Sequence, residues 1–91
     1  MFEVIISKKV EKFLDTQNKK FVAKFFKLSI QIAKKPFEAH KSIDIKILKG
    51  KEKYHFRLKI NKIRFIYKVN IEEKIILFYS AGYRGDVYKK L

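Results

Sequence analysis

The chain has no cysteine, no tryptophan, one proline and three glycines among its 91 residues. Without cysteine there is no disulfide framework and no thiolate to bind a metal or attack a substrate. A small secreted domain usually leans on such cross-links, so the composition points to a reducing compartment, the cytoplasm. Few glycines and prolines mean few breaks, hence long elements and short connections. No run of ~18 apolar residues occurs, so no segment reads as a membrane span. The first residues, Met1 to Lys9, place apolar side chains ahead of charges, the reverse of a secretory signal. Acidic residues are scarce: nine against 23 basic ones, a net charge of +14. Part of that excess is what AT-rich codons supply without function. The rest favours a polyanionic partner: nucleic acid, an acidic protein or a membrane surface. Arginine is scarce too. Arg57, Arg64 and Arg84 stand in a chain that otherwise uses lysine, and they mark positions where a planar, permanently charged fork matters more than charge alone.

Hydrophobic residues make up 47% of the chain and include nine phenylalanines. That is enough for one modest core, and the expectation is a single domain over residues 1–91. "FEVIIS" reads as a first strand. Ser7 is placed to cap a short helix, "KKVEKFLD", with Val10, Phe13 and Leu14 on one side. "TQN" breaks it, and a longer helix follows from about Lys19 to Lys35. Its expected buried stripe is Val22, Phe25, Phe26, Ser29, Ile32 and Ala33, and Pro36 ends it. "PFEAHKSID" is an irregular connection, Ile45 to Leu48 reads as extended, and Leu48 to Lys53 as a turn. The clearest alternation comes next. In "KYHFRLKI", Tyr54, Phe56, Leu58 and Ile60 fall on one side of a strand and Lys53, His55, Arg57 and Lys59 on a wet, basic side. "NK" is a hairpin turn into "IRFIYKV", with Ile63, Phe65, Tyr67 and Val69 inward and Arg64 and Lys68 outward. After the turn "NIEEK", the nearly continuous apolar run "IILFYSA" predicts a central strand. Tyr54, Tyr67, Phe78 and Tyr79 are assigned to the core. The class is α+β in the order β-α-α-β-β-β, an N-terminal helical hairpin packed on a twisted, mostly antiparallel sheet.

No metal-ligand spacing, Gly-rich phosphate loop or Ser/His/Asp set is present. The informative constellation is basic. His55, Arg57 and Lys59 project from one strand and Arg64 from the next, while Arg84 and Tyr88 follow the third. Adjacent strands lie ~4.8 Å apart, so these side chains can converge on one positively charged surface. The lysines of the long helix read as a solvated face.

These segments resemble a known family over the whole chain. "FEVIISKKVEKFL" is similar to the opening strand and helix of the RelE/ParE superfamily of toxins from toxin–antitoxin pairs. "KKPFEA" and "ILKGKEKYHFRLKINKIRFIYKV" resemble its L-x-G turn, R-x-R strand and Y-R strand. "AGYRGDVYKKL" resembles its G-H-R-x-x-V-Y ending. The resemblance implies a ribosome-dependent mRNA endoribonuclease, an mRNA interferase that works without cofactor or metal. It implies a cognate antitoxin as partner and mRNA in the ribosomal A site as substrate. Position by position it implies a catalytic set of Arg57, Arg64, Arg84, Tyr88 and His55, with Lys53, Lys59, Lys68 and Tyr83 contacting RNA. Arg84 would grip a phosphate and Tyr88 stack on a base or handle a proton. The chain departs from the pattern at Ile63, where Tyr is common, and at Tyr83, where nucleolytic members carry a His acid. Asp44 is the nearest match to a carboxylate base that some members hold ahead of the L-x-G turn. Two other readings stay open on the same fold: a ParE-like inhibitor of DNA gyrase with no chemistry of its own, and a catalytically degenerate member.

Overall fold

Ser7 starts the first helix as its sequence dictates. Its backbone is extended, at φ −72° and ψ 164°, and its hydroxyl accepts the Val10 N–H, satisfying one of the donors a helix N-terminus leaves open. Asn18 caps the second helix in the same way, accepting from the Phe21 N–H at 2.8 Å. The computed structural model describes residues 1–38, 40–48 and 54–83. In chain order the elements are β1 (Glu3–Ile6), α1 (Lys8–Asp15), α2 (Lys19–Lys34), β2 (Asp44–Ile47), β3 (His55–Ile60), β4 (Ile63–Asn70) and β5 (Ile75–Tyr83).

The five strands form one mixed sheet in the order β1-β5-β4-β3-β2. β1 runs parallel to β5, and the other three pairings are antiparallel. The α+β class and the helical hairpin on a mostly antiparallel sheet are therefore as expected, with a fifth strand added. The stretch expected to be merely extended is β2, which pairs along β3 from Asp44↔Lys59 to Ile47↔Phe56. β4 holds the centre of the sheet. β5, expected there, lies one place over, flanked by β4 and β1.

One face of the sheet takes the helices. Phe25 is fully buried and its ring lies 4.4 Å from Phe65 and 5.0 Å from Phe78, centroid to centroid. Val10, Leu14, Ile32 and Ala33 join it from the helices, and Leu58, Phe65, Tyr67 and Ile76 from the sheet. Each such fully buried side chain is worth ~1.5–3 kcal/mol. Two expected core residues change places with others. Phe21 is buried and Phe26 is exposed, because Phe21 stands one turn below Phe25 on the sheet-facing side while Phe26 is rotated ~100° away. Tyr54 is also exposed, and it precedes β3 instead of belonging to it. Its φ of 66° ends the alternation one residue early, so the inward row begins at Phe56.

Candidate active site

The face away from the helices is assembled by register. Residues directly opposite one another on neighbouring strands share a face, with Cβ atoms ~4.5–5.5 Å apart. Lys59 stands opposite Arg64, Arg57 opposite Ile66, and His55 opposite Lys68. On the far side of β3, Asp44 pairs with Lys59 and Lys46 with Arg57. On the far side of β4, Arg64 faces Gly82, which contributes no side chain to crowd the guanidinium. Phe56, Leu58, Phe65 and Tyr67 alternate onto the helix side and bury there. The structure thus brings His55, Arg57, Lys59, Arg64 and Lys68 onto one face of two adjacent strands. Lys53, Arg84 and Tyr88 lie outside the described residues.

That face is less wet than the alternation suggests. Arg64 is only 9% exposed and His55 8%, and Ile66 between them is fully buried. The His55 ring packs edge-on against Tyr79 at 5.8 Å. Tyr79 falls where β5 slips register against Ile66 and Tyr67, a bulge that re-aims side chains beside a site.

Arg57 carries the most specific geometry. One of its terminal nitrogens donates to Asp44 Oδ1 at 2.5 Å, with the Arg57 side chain 12% exposed and Asp44 56%. Its Nε is buried and has no hydrogen-bond partner among the described residues. A buried unsatisfied N–H of a charged group is costly, which makes Arg57 the least satisfied cation of this face among the described residues. The sequence singled out Asp44 only as the nearest carboxylate. Its role as Arg57's partner, and the position of Lys46 beside Arg57, depend on β2 joining the sheet. The signal was the alternation of "DIKI".

Distances along β3 divide the face. At ~3.3 Å per residue, His55 stands ~7 Å from Arg57 and ~13 Å from the Lys59–Arg64 pair. His55 and Arg57 are thus near neighbours on the strand, and the Lys59–Arg64 pair stands apart from them. Tyr83 is half exposed at the end of β5, in register with Ile63 and edge-on to Phe13 at 6.0 Å. With Lys59, Asn61, Lys62 and Arg64 it lines an open groove of about 340 Å³ at the rim of this face. Among the described residues no cluster of His, Asp and Glu could hold a metal ion.

No protein-family model and no curated protein matches the chain. Solved structures do. The archaeal RelE–RelB complex from Pyrococcus horikoshii OT3 contains a chain 26% identical to this one, at a TM-score of 0.78, covering 92% of this chain and 96% of that one. The RelB–RelE antitoxin–toxin complex from Methanococcus jannaschii matches at 22% identity and TM-score 0.69, over 96% and 98% of the two chains. A metal-bound toxin from Helicobacter pylori shares the fold at 14% identity and TM-score 0.76, over 97% and 100%. With this architecture, and with 26% identity to a chain of an archaeal RelE–RelB complex over nine-tenths of its length, the chain is similar in fold and in sequence to RelE toxins.

Proposed function

We propose that this chain is a toxin, a ribosome-dependent endoribonuclease that cuts mRNA in the A site, is held silent by an acidic cognate antitoxin, and works in the cytoplasm where ribosomes are. The observation that carries the reading is Arg57, a guanidinium fixed on a sheet strand with a buried, unpartnered Nε, beside the facing Lys59 and Arg64. The structural neighbours that are RelE–RelB complexes support the partner class, and the net charge of +14 suits an acidic cover.

RNA carries its own nucleophile. The 2′-OH attacks the adjacent phosphorus in line, loses its proton, and expels the 5′-oxygen, which takes up a proton as a 2′,3′-cyclic phosphate forms. The protein must orient the sugar, accept the first proton, and offset charge growing on the phosphoryl oxygens. Arg57 binds those oxygens. Lys59 and Arg64 hold the neighbouring phosphate. His55, on the same face as Arg57, accepts the 2′-OH proton. Asp44 orients Arg57 through their hydrogen bond. Arg84 and Tyr88 take the roles the family resemblance implies, a phosphate grip and a base stack or proton donor, and Lys53 and Lys68 add phosphate contacts. With Tyr83 in place of the family's His, the ribosome supplies part of the orientation.

The test is single-turnover cleavage of A-site mRNA on programmed ribosomes. Arg57→Ala and Arg64→Ala should each slow cleavage by ~10²–10³, the usual worth of one electrostatic donor to a transition state, and should relieve growth arrest at equal protein level. Arrest that persists with intact mRNA and trapped gyrase–DNA complexes would move the assignment to a ParE-like gyrase inhibitor. Intact mRNA without arrest would mark a degenerate member.

A further inference from the structure

The groove at the rim of the basic face does not stop there. Asn61, Lys62 and Tyr83 also line a second open groove, of about 620 Å³, on the helix side of the β3–β4 turn. Its other wall is the start of α2, with Lys20 and Lys24. The two grooves share Asn61, Lys62 and Tyr83 and so adjoin at the tip of the sheet, where Asn61 has a φ of 56°, a left-handed conformation that Asn tolerates.

Three properties of this track select its ligand. First, its lining is basic: it gathers Lys20, Lys24, Lys59, Lys62 and Arg64, and no acidic residue is among its described lining residues. A third groove, by Lys34 and Lys35, differs, because there Glu38 pairs with Lys35 at 3.6 Å. Second, Lys20 and Lys24 lie four apart on one helix face. Like charges at that spacing cost a helix ~0.2–0.5 kcal/mol, and an incoming anion reverses the cost. Third, the track has an aromatic platform at its midpoint. The Tyr83 ring is 50% exposed yet buttressed at its back by Phe13, 6.0 Å away. A held ring between cations is what single-stranded nucleic acid uses, the bases stacking while the backbone follows the charge.

We propose that this track is a second RNA subsite, which holds the single strand flanking the scissile phosphate, with Tyr83 stacked on a base and Lys20 and Lys24 on the phosphates beyond it. The proposal rests on RNA being the substrate, and extends the site from the open face of the sheet to the helical layer.

Binding of a fluorescent 2′-O-methyl octauridylate, which cannot undergo 2′-OH attack, tests the track apart from cleavage. For single strands the slope of log affinity against log salt falls by ~0.7 per phosphate contact. Lys20→Gln with Lys24→Gln should therefore flatten the slope by ~1.4, while Lys34→Gln with Lys41→Gln leaves it unchanged. Tyr83→Ala should weaken binding ~5- to 100-fold, the worth of one stacked base, and Tyr83→Phe should recover it. An unchanged slope in the Lys20/Lys24 variant together with a less than twofold loss in Tyr83→Ala overturns the proposal, even if wild-type protein cuts A-site mRNA. A poly-glutamate peptide that binds as tightly as the RNA, and is equally weakened by Tyr83→Ala, overturns it in favour of an acidic protein. Failure of Arg57→Ala and Arg64→Ala to slow cleavage, with octauridylate binding intact, would instead strike the nuclease reading alone.

Discussion

Tyr67 sits at the centre of β4 with its ring fully buried, stacked on Phe56 at 5.3 Å and tilted against Phe78 at 4.8 Å. Its hydroxyl is buried with no hydrogen-bond partner among the described residues. A polar group taken out of water without compensation costs ~1–3 kcal/mol. Tyr67→Phe keeps both ring contacts and removes the group that incurs this cost. The expected result is a stabilisation of ~1–2 kcal/mol, and for a domain of this size each kcal/mol raises Tm by ~4–8 °C. The same burial pushes the Tyr67 phenol up from its ordinary value of 10.0. The unfolded chain therefore releases the Tyr67 proton first. Its contribution is fully present below about pH 10 and is lost as pH rises toward the folded value, at ~1.4 kcal/mol per pH unit. Urea unfolding of wild type and Tyr67→Phe at pH 7, 10 and 11 measures both effects. The two stabilities should differ by a constant below pH 10 and diverge above it. A variant less stable than wild type at pH 7, or a gap that does not widen above pH 10, would refute the assignment of an unsatisfied, desolvated hydroxyl.

Three further outcomes follow from the structure. Phe25→Ala removes the ring that joins α2 to Phe65 and Phe78; a loss of ~3–5 kcal/mol is expected, and loss of cooperative melting by circular dichroism would show it. Lys74 ends the β4–β5 turn at φ 55°, so Lys74→Gly should relieve left-handed strain, net of unfolded-state entropy, by ~0.5–1 kcal/mol, read as a Tm gain of a few degrees. Asp44→Asn breaks an ion pair whose carboxylate is 56% exposed, so it should cost under ~1 kcal/mol of stability while lowering kcat for A-site cleavage with KM little changed, and Asp44→Glu should restore part of the rate.

Much of this fold is written in local patterns. The Ser7 cap, the breaker before α2 and the alternation from Phe56 through Val69 are short-range signals, and each element they predict is present. What the sequence left open was decided between elements. Phe21 and Phe26 flank Phe25 on the same broad apolar arc, and only the docking of α2 on the sheet selects Phe21. Tyr54 continues the alternation perfectly, yet a positive φ carries no periodic mark. The parallel pairing of β1 with β5 joins residues some seventy positions apart, from Glu3↔Ile75 to Ile6↔Phe78, and neither strand records the other. At the site, the basic row on β3 and β4 was legible as charge but not as burial. An alternation shows which residues leave the core face, and it cannot show that Arg64 and His55 reach only 9% and 8% exposure on the opposite one.

That burial bears on why arginine stands at 57 and 64 in a chain with so many lysines. An exposed lysine attracts phosphate as a mobile point charge, and ordering its flexible stem costs entropy. Arg57 and Arg64 sit on the two strands nearest the middle of the sheet, where packing below fixes the backbone and neighbours limit the rotamers. Arg57 is further tethered by Asp44 at 2.5 Å. A guanidinium held this way has its direction set during folding, so that under the proposed function the energy of orienting it is supplied before RNA binds. Lysine at either place would keep the charge and lose the fork, and its ammonium, more strongly hydrated than a guanidinium, would be poorer in so dry a setting. Exposed positions such as Lys20, Lys24, Lys62 and Lys68 would, on the proposed track, only follow a backbone, and there lysine suffices. Under the proposed function the two residue types divide the labour: arginine where the strand rigidly aims a donor at a phosphate, lysine where the chain only has to be positive.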